Sequence, residues 1–370
     1  MITERLVQLY HRGNSLLERF AARKNWQAEL TILSTLLLLF FAFPSYDLIY
    51  GEFLPFWERI FVQAAHPLTN FNYDPASHES KQAFRLLIPL LIRFTGLHIA
   101  GMIVLQHLVG MMSILLFTQI AYRITADKII TILLTLAYVS LGVGRSSFIS
   151  NCALFDGFAF FFLLLSLRFS SVFLIFLSLT CAAWIDERGL IASSLIFVWY
   201  LMYGNKKQVA AVVLAWIVYF ALRFYLAHAF GLHTSTGAVG FHIFVNQMNN
   251  APMGLWTGME GFWVMFMMSL AVLWWKKQWH YLLMLSGSVA IIAIVALMVI
   301  DISRSMFYML PAIIIALRIV KENETTQHFS ALVWITLLLS ALFPAYIVGD
   351  VNVLNWQYPF PLQVLRLLTQ

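Results

Sequence analysis

The chain has 370 residues, 61% of them hydrophobic and 11% charged, with a formal net charge of +6. Soluble domains carry about 25% charged residues, so a water-soluble globular domain is excluded. In so apolar a chain, the basic excess reads as Lys and Arg flanking membrane spans, not as a nucleic-acid footprint.

Apolar runs near the ~20-residue length of a bilayer crossing recur along the chain and are continuous, not alternating. The expected fold is therefore an all-α polytopic transmembrane bundle of about eleven crossings, forming a single domain over 1–370. Residues 1–27 read as a cytoplasmic amphipathic N-terminus, with Arg5, Arg12, Arg19, Arg23 and Lys24 outnumbering the acids. The first span is expected over 28–46. A long extracytoplasmic loop over 47–85 follows, rich in aromatics, Pro and charge, and "FLPFWERIFVQAA" within it has the spacing of a short interfacial helix. Further spans are expected at 86–97, 98–122, 129–148 and 153–168.

The next apolar run, 170–203, would make a helix about 50 Å long, too long for a ~30 Å hydrocarbon core. It is expected to break at Asp186-Glu187-Arg188, the only charged residues within it. Spans at 208–229, 256–274, 280–300, 305–320 and 329–349 complete the bundle, with a second extracytoplasmic loop over 230–255. Arg123/Lys128, Lys206/Lys207, Lys276/Lys277 and Lys321 fall on the side of the N-terminus, which the positive-inside rule makes cytoplasmic. The expected location is the bacterial inner membrane.

This topology gathers chemistry on the opposite face. The first loop supplies Asp47, Glu52, Asp74, His78, Glu79, Lys81 and Arg85. Span ends add Arg145, Asp156, the Asp186-Glu187-Arg188 break, Asp301 and Arg304, and Asp350 begins the tail. Charges at such depths need partners or a wet cavity. Asp156 reads as a site residue or as a structural partner of Arg145; Asp301 and Arg304, three apart, read as site residues or as a local pair. His233, His242, Asn246, Gln247 and Asn249 lie in the second loop without metal-ligand spacing, and Cys152 and Cys181 are too few for a zinc cluster or disulfide framework. No cofactor is expected, and a divalent metal has no sequence support. Walker, dinucleotide-binding and GxSxG motifs are also lacking.

The early acid of the first loop in "FPSYDLIYGEF", the run "YDPASHESKQAFRLLIPLL" and the break "WIDERGLIA" together resemble the GT-C superfamily of integral membrane glycosyltransferases. The loop departs from the paired acidic motif of some members. The resemblance implies a polyprenyl-phosphate-linked sugar donor, a glycan, lipid or protein acceptor, and bound membrane lipids, with no nucleic acid. It implies Asp47 as general base, with Glu52, Asp74 and Glu79 as further catalytic candidates. Arg85, Arg145, Arg188 and Arg304 are the implied phosphate ligands, and Asp156, Asp186, Glu187 and Asp301 the implied substrate contacts. The competing expectations are a transporter or flippase, which also uses broken helices and buried charge, and a polysaccharide polymerase-like assembly protein.

Overall fold

The computed structural model describes residues 15–69, 82–149, 151–233, 240–343, 345–349 and 353–369. Asp74, His78, Glu79, Lys81 and Asp350 lie outside the described residues. The described residues are predominantly helical. Helix α1 (Trp26–Phe41) is shorter than the expected first span, leaving helical geometry at Ala42. Pro44 explains the early stop, because the residue before a proline is pushed toward extended backbone. A 3-10 turn (Tyr46–Tyr50) leads into α2 (Leu54–Ala65), which has Pro55 in its first turn. This is the short helix expected in the first loop. Helix α3 (Leu87–Thr95) ends on Gly96, whose φ of 67° suits a left-handed cap. At nine residues it spans only about 14 Å, too short for a crossing.

Helix α4 (Ile99–Thr125) is one long apolar rod. The expected span at 129–148 is instead two helices, α5 (Lys128–Ser140) and α6 (Gly142–Ile149), bent by 66°. A Cβ on Gly144 would run into the Tyr138 carbonyl, so the bend relies on a residue without one. Helix α7 (Asp156–Arg168) follows a turn in which Ala153 and Phe155 take positive φ.

The run at 170–203 breaks as the length argument requires, giving α8 (Val172–Ile185) and α9 (Glu187–Tyr203). The break is a single residue, Asp186, which ends one helix and caps the next. Gly189 lies close to the preceding helix: a Cβ there would stand 2.6 Å from the Ala182 carbonyl oxygen. We expect Gly189→Ala to destabilise the fold by about 1–3 kcal/mol through this overpacking. Thermal unfolding in detergent checks it, and an unchanged midpoint would contradict the close approach.

Helix α10 (Lys206–Phe230) starts on an Asn205–Gln208 capping box. The second loop holds α11 (Phe241–Asn246), a 3-10 turn (Met248–Asn250) and α12 (Ala251–Trp256). Buried Gln247 anchors it by donating to the Leu297 and Val299 carbonyls at 2.7 and 2.8 Å. Helices α13 (Phe262–Trp275) and α14 (Trp279–Leu297) precede α15 (Ile302–Met306), a 3-10 turn (Phe307–Met309) and α16 (Leu310–Asn323). Ile302–Asn323 is apolar nearly all round and is the buried axis of the bundle, as such a helix must be. By contrast, α10 exposes Leu214, Ile217, Phe220 and Phe224, a surface suited to lipid.

Helix α17 (Thr326–Leu342) ends before Pro344, not at 349 as expected. The apolar stretch beyond it is an antiparallel hairpin of β1 (Tyr346–Gly349) and β2 (Val353–Trp356), pairing Tyr346 with Trp356 and Gly349 with Val353. An amphipathic helix, α18 (Phe360–Thr369), closes the described chain.

Among the described residues, four segments are long and apolar enough to cross a membrane: Ile99–Thr125, Lys206–Phe230, Trp279–Leu297 and Ile302–Asn323. The bent α5–α6 pair makes a fifth if counted as one span. Helices α1, α8, α13 and α17 are apolar but shorter, so length and composition do not reach the expected eleven crossings.

Candidate functional site

Three carboxylates mark helix starts that converge beside the buried axis. Asp156 opens α7, Asp186 caps α9 and Asp301 precedes α15. The partial positive charge of a helix N-terminus favours an acid at each of these places. Two of these helices carry an arginine within their first turn, Arg188 and Arg304, and each arginine reaches back to its own aspartate. Arg188 grips Asp186 in bidentate fashion, Nε to Oδ1 at 2.8 Å and Nη2 to Oδ2 at 2.7 Å. Arg304 donates from Nη1 to Asp301 Oδ2 at 2.6 Å, the local pair that their spacing allows.

Asp156 joins the two units. It accepts from Arg188 Nη2 at 3.2 Å, Arg304 Nε at 2.7 Å and the Tyr308 hydroxyl at 3.0 Å. On the far side, Arg85 bridges Asp186 at 3.0 Å and Glu187 at 3.3 Å, and Arg223 meets Glu187 at 3.6 Å. The result is one ladder of alternating charge: Arg223, Glu187, Arg85, Asp186, Arg188, Asp156, Arg304, Asp301. Asp186 has no exposed surface, and Asp156 has 2%. Buried charges are tolerated only when paired and hydrogen-bonded in this way.

Arg145 does not pair with Asp156. Its partner is Glu260 at 3.3 Å, which also accepts from the Gly142 backbone N–H at 2.8 Å. Glu260 interrupts the expected 256–274 span in "TGMEGFW" and has a φ of 43°. An acid inside an apolar run was the available signal for this pair.

Two cavities adjoin this framework. The first, about 400 Å³, has mostly apolar walls but takes a polar character from its charged side chains; it lies between the ladder's Asp301 end, the turn after α1, the hairpin and α18. Asp156, Asp301 and Arg304 line it, together with Arg366. The second, about 480 Å³, is an apolar groove walled by α1, α5 and α17, with Arg145 in its lining. Gln357 lines both, and Arg145 and Ser146, neighbours on α6, face one cavity each.

The expected site residues are thus divided. Asp156, Asp301 and Arg304 meet at the polar cavity, and Arg145 lies in the groove. Arg85, Asp186, Glu187 and Arg188 join the same ladder but do not line the polar cavity. The Arg188 guanidinium is taken up by Asp186, Asp156 and Ser305. Asp47 and Glu52 are exposed and line neither cavity, although Ser45, Leu48 and Phe53 around them line the polar one. Arg223, Glu260, Tyr308 and Arg366 were not anticipated. No disulfide joins Cys152, at the polar cavity, to Cys181. Comparisons with protein-family models, with curated proteins and with solved structures returned no match for the chain.

Proposed function

We propose that the protein is a membrane-embedded transferase that moves a sugar from a polyprenyl-phosphate donor to an acceptor hydroxyl. The observation that carries this reading is a largely apolar groove adjoining a second cavity into which two carboxylates and two arginines are set. A donor of this type needs the same sequence of environments: a dry channel for the isoprenoid chain, cations for the phosphate, and a carboxylate beside the sugar. The chain lies between α1, α5 and α17, and the phosphate lies toward Arg304, whose planar fork suits it.

Asp301 is the proposed general base, since it faces the cavity and its side chain retains 24% exposure, while Asp156 is enclosed by two arginines and Tyr308. The acceptor hydroxyl gives its proton to the Asp301 carboxylate as its oxygen bonds to the anomeric carbon. The bond from that carbon to the phosphate oxygen breaks, and polyprenyl phosphate leaves with the electron pair. Lys and Arg at the alternate turns support an orientation with the N-terminus in the cytoplasm and this chemistry on the extracytoplasmic side; the bacterial inner membrane is the proposed location.

Reconstitution with polyprenyl-phosphate-linked hexoses and pentoses tests the reading: donor is consumed and polyprenyl phosphate released. Filling the groove with Leu337→Trp is expected to slow transfer from a long-chain donor about tenfold more than from a short-chain one. An equal effect on both would remove the groove from the mechanism. The bend at Leu141 and the break at Asp186 favour a second reading, as a transporter or flippase. Movement of a substrate across liposomes without donor consumption would select it.

A further inference from the structure

Arg366, on α18, was assigned no role by the mechanism above. It lines the polar cavity with Gln363, three residues earlier on the same helix. Its guanidinium lies 5.1 Å from the centre of the Tyr358 ring, and no carboxylate meets it among the described residues. Across the cavity, Arg304 keeps only 8% of its surface exposed, yet its Nη2 has no hydrogen-bond partner among the described residues. A buried guanidinium nitrogen left unmatched costs free energy unless a ligand accepts from it. The remaining groups of that guanidinium are already bound to Asp156 and Asp301.

The cavity therefore presents one buried donor and one unneutralised cation with no acceptor of their own. We infer that Arg304 Nη2 and Arg366 form a two-arginine subsite for a phosphate group, with the C-terminal helix supplying half of it. The inference rests on the transferase reading for its natural ligand, the donor's phosphate, but the anion site stands on its own geometry.

The helix is built to work at a lipid boundary. Leu362, Val364, Leu365 and Leu368 are exposed, while Phe360 packs on Phe43 with ring centres 5.0 Å apart. A short helix that is apolar on one side and cationic on another settles at the headgroup level of a bilayer. Arg366 is thus held where a lipid phosphate would arrive, and the Tyr358 ring fixes its approach.

Cys152 provides a readout other than turnover, because it lines the same cavity. In purified full-length Cys181→Ala protein, the rate of maleimide labelling at Cys152 is followed against polyprenyl phosphate, uncharged polyprenol and inorganic phosphate. Polyprenyl phosphate is expected to protect Cys152, with polyprenol at least tenfold weaker. Arg366→Gln is expected to raise the protecting concentration of polyprenyl phosphate at least tenfold and leave polyprenol unchanged; Arg366→Lys should recover part of the loss. Protection by inorganic phosphate at similar concentrations would assign the subsite to free phosphate; protection only by the lipid would assign it to the headgroup. Equal protection of wild type and Arg366→Gln by both anions, or no protection by either, would overturn the subsite. Protection without sugar transfer would keep the subsite and sink the transferase reading.

Discussion

Asp156→Asn is expected to destabilise the protein by about 3–5 kcal/mol, the largest stability loss of any single change in the ladder. Asp156 is the one acceptor shared by Arg188 and Arg304, and Tyr308 also donates to it. An asparagine keeps the shape but removes the charge, and it turns one oxygen into an amide that must point donors at arginine donors. Two guanidiniums then share a buried region with less negative charge than they need. The pairs Arg188–Asp186 and Arg304–Asp301 survive, so the helix starts remain capped, but the link between them is lost. Thermal unfolding in detergent reads the loss directly. Combining Asp156→Asn with Arg304→Gln should cost less than the sum of the two single changes, because the second removes a cation left unbalanced by the first. Strict additivity, or an unchanged midpoint for Asp156→Asn, would mean that the ladder is not one coupled unit.

Asp301→Asn is expected to lower sugar transfer by about 10²-fold or more, the range lost with a general base, while leaving unfolding near that of the wild type. Asp301 is part-exposed, while Asp156 is buried against two arginines and Tyr308, so the charge of Asp301 contributes less to the fold than that of Asp156. Asp47→Asn provides the contrast. Asp47 is exposed and lines neither cavity, so its substitution should leave most of the activity. The reverse outcome, an inactive Asp47→Asn and an active Asp301→Asn, would return the base to the first loop and give the polar cavity another use.

The sequence carried some of this clearly. Helix length alone requires a break within 170–203, and the charges within that run place it. The break is narrower than the triplet suggests, because Glu187 and Arg188 already belong to the second helix. The bend after Ser140 was hidden because hydropathy runs on through Gly142 and Gly144, and only the packing of Gly144 against Tyr138 gives those glycines meaning. The hairpin after Leu342 was hidden because a short apolar strand and the end of a span look alike.

The acids and arginines of the site were legible as types, but their partners were not. Asp156 meets Arg304 across 148 residues, and Arg145 meets Glu260 across 115. Such pairings follow from which helix starts converge, and no local spacing records that. Arg366 was invisible for the same reason: on a short amphipathic helix it reads as an ordinary surface cation until the fold turns it toward the cavity.

In the proposed reaction one lipid-linked phosphate occupies the groove and the polar cavity together. A structure of the full chain with bound polyprenyl phosphate tests it most directly. Isoprenoid density is expected between α1, α5 and α17, passing Gln357, with the phosphate between Arg304 and Arg366. A chain bound elsewhere on the bundle, or a phosphate remote from both arginines, would contradict it.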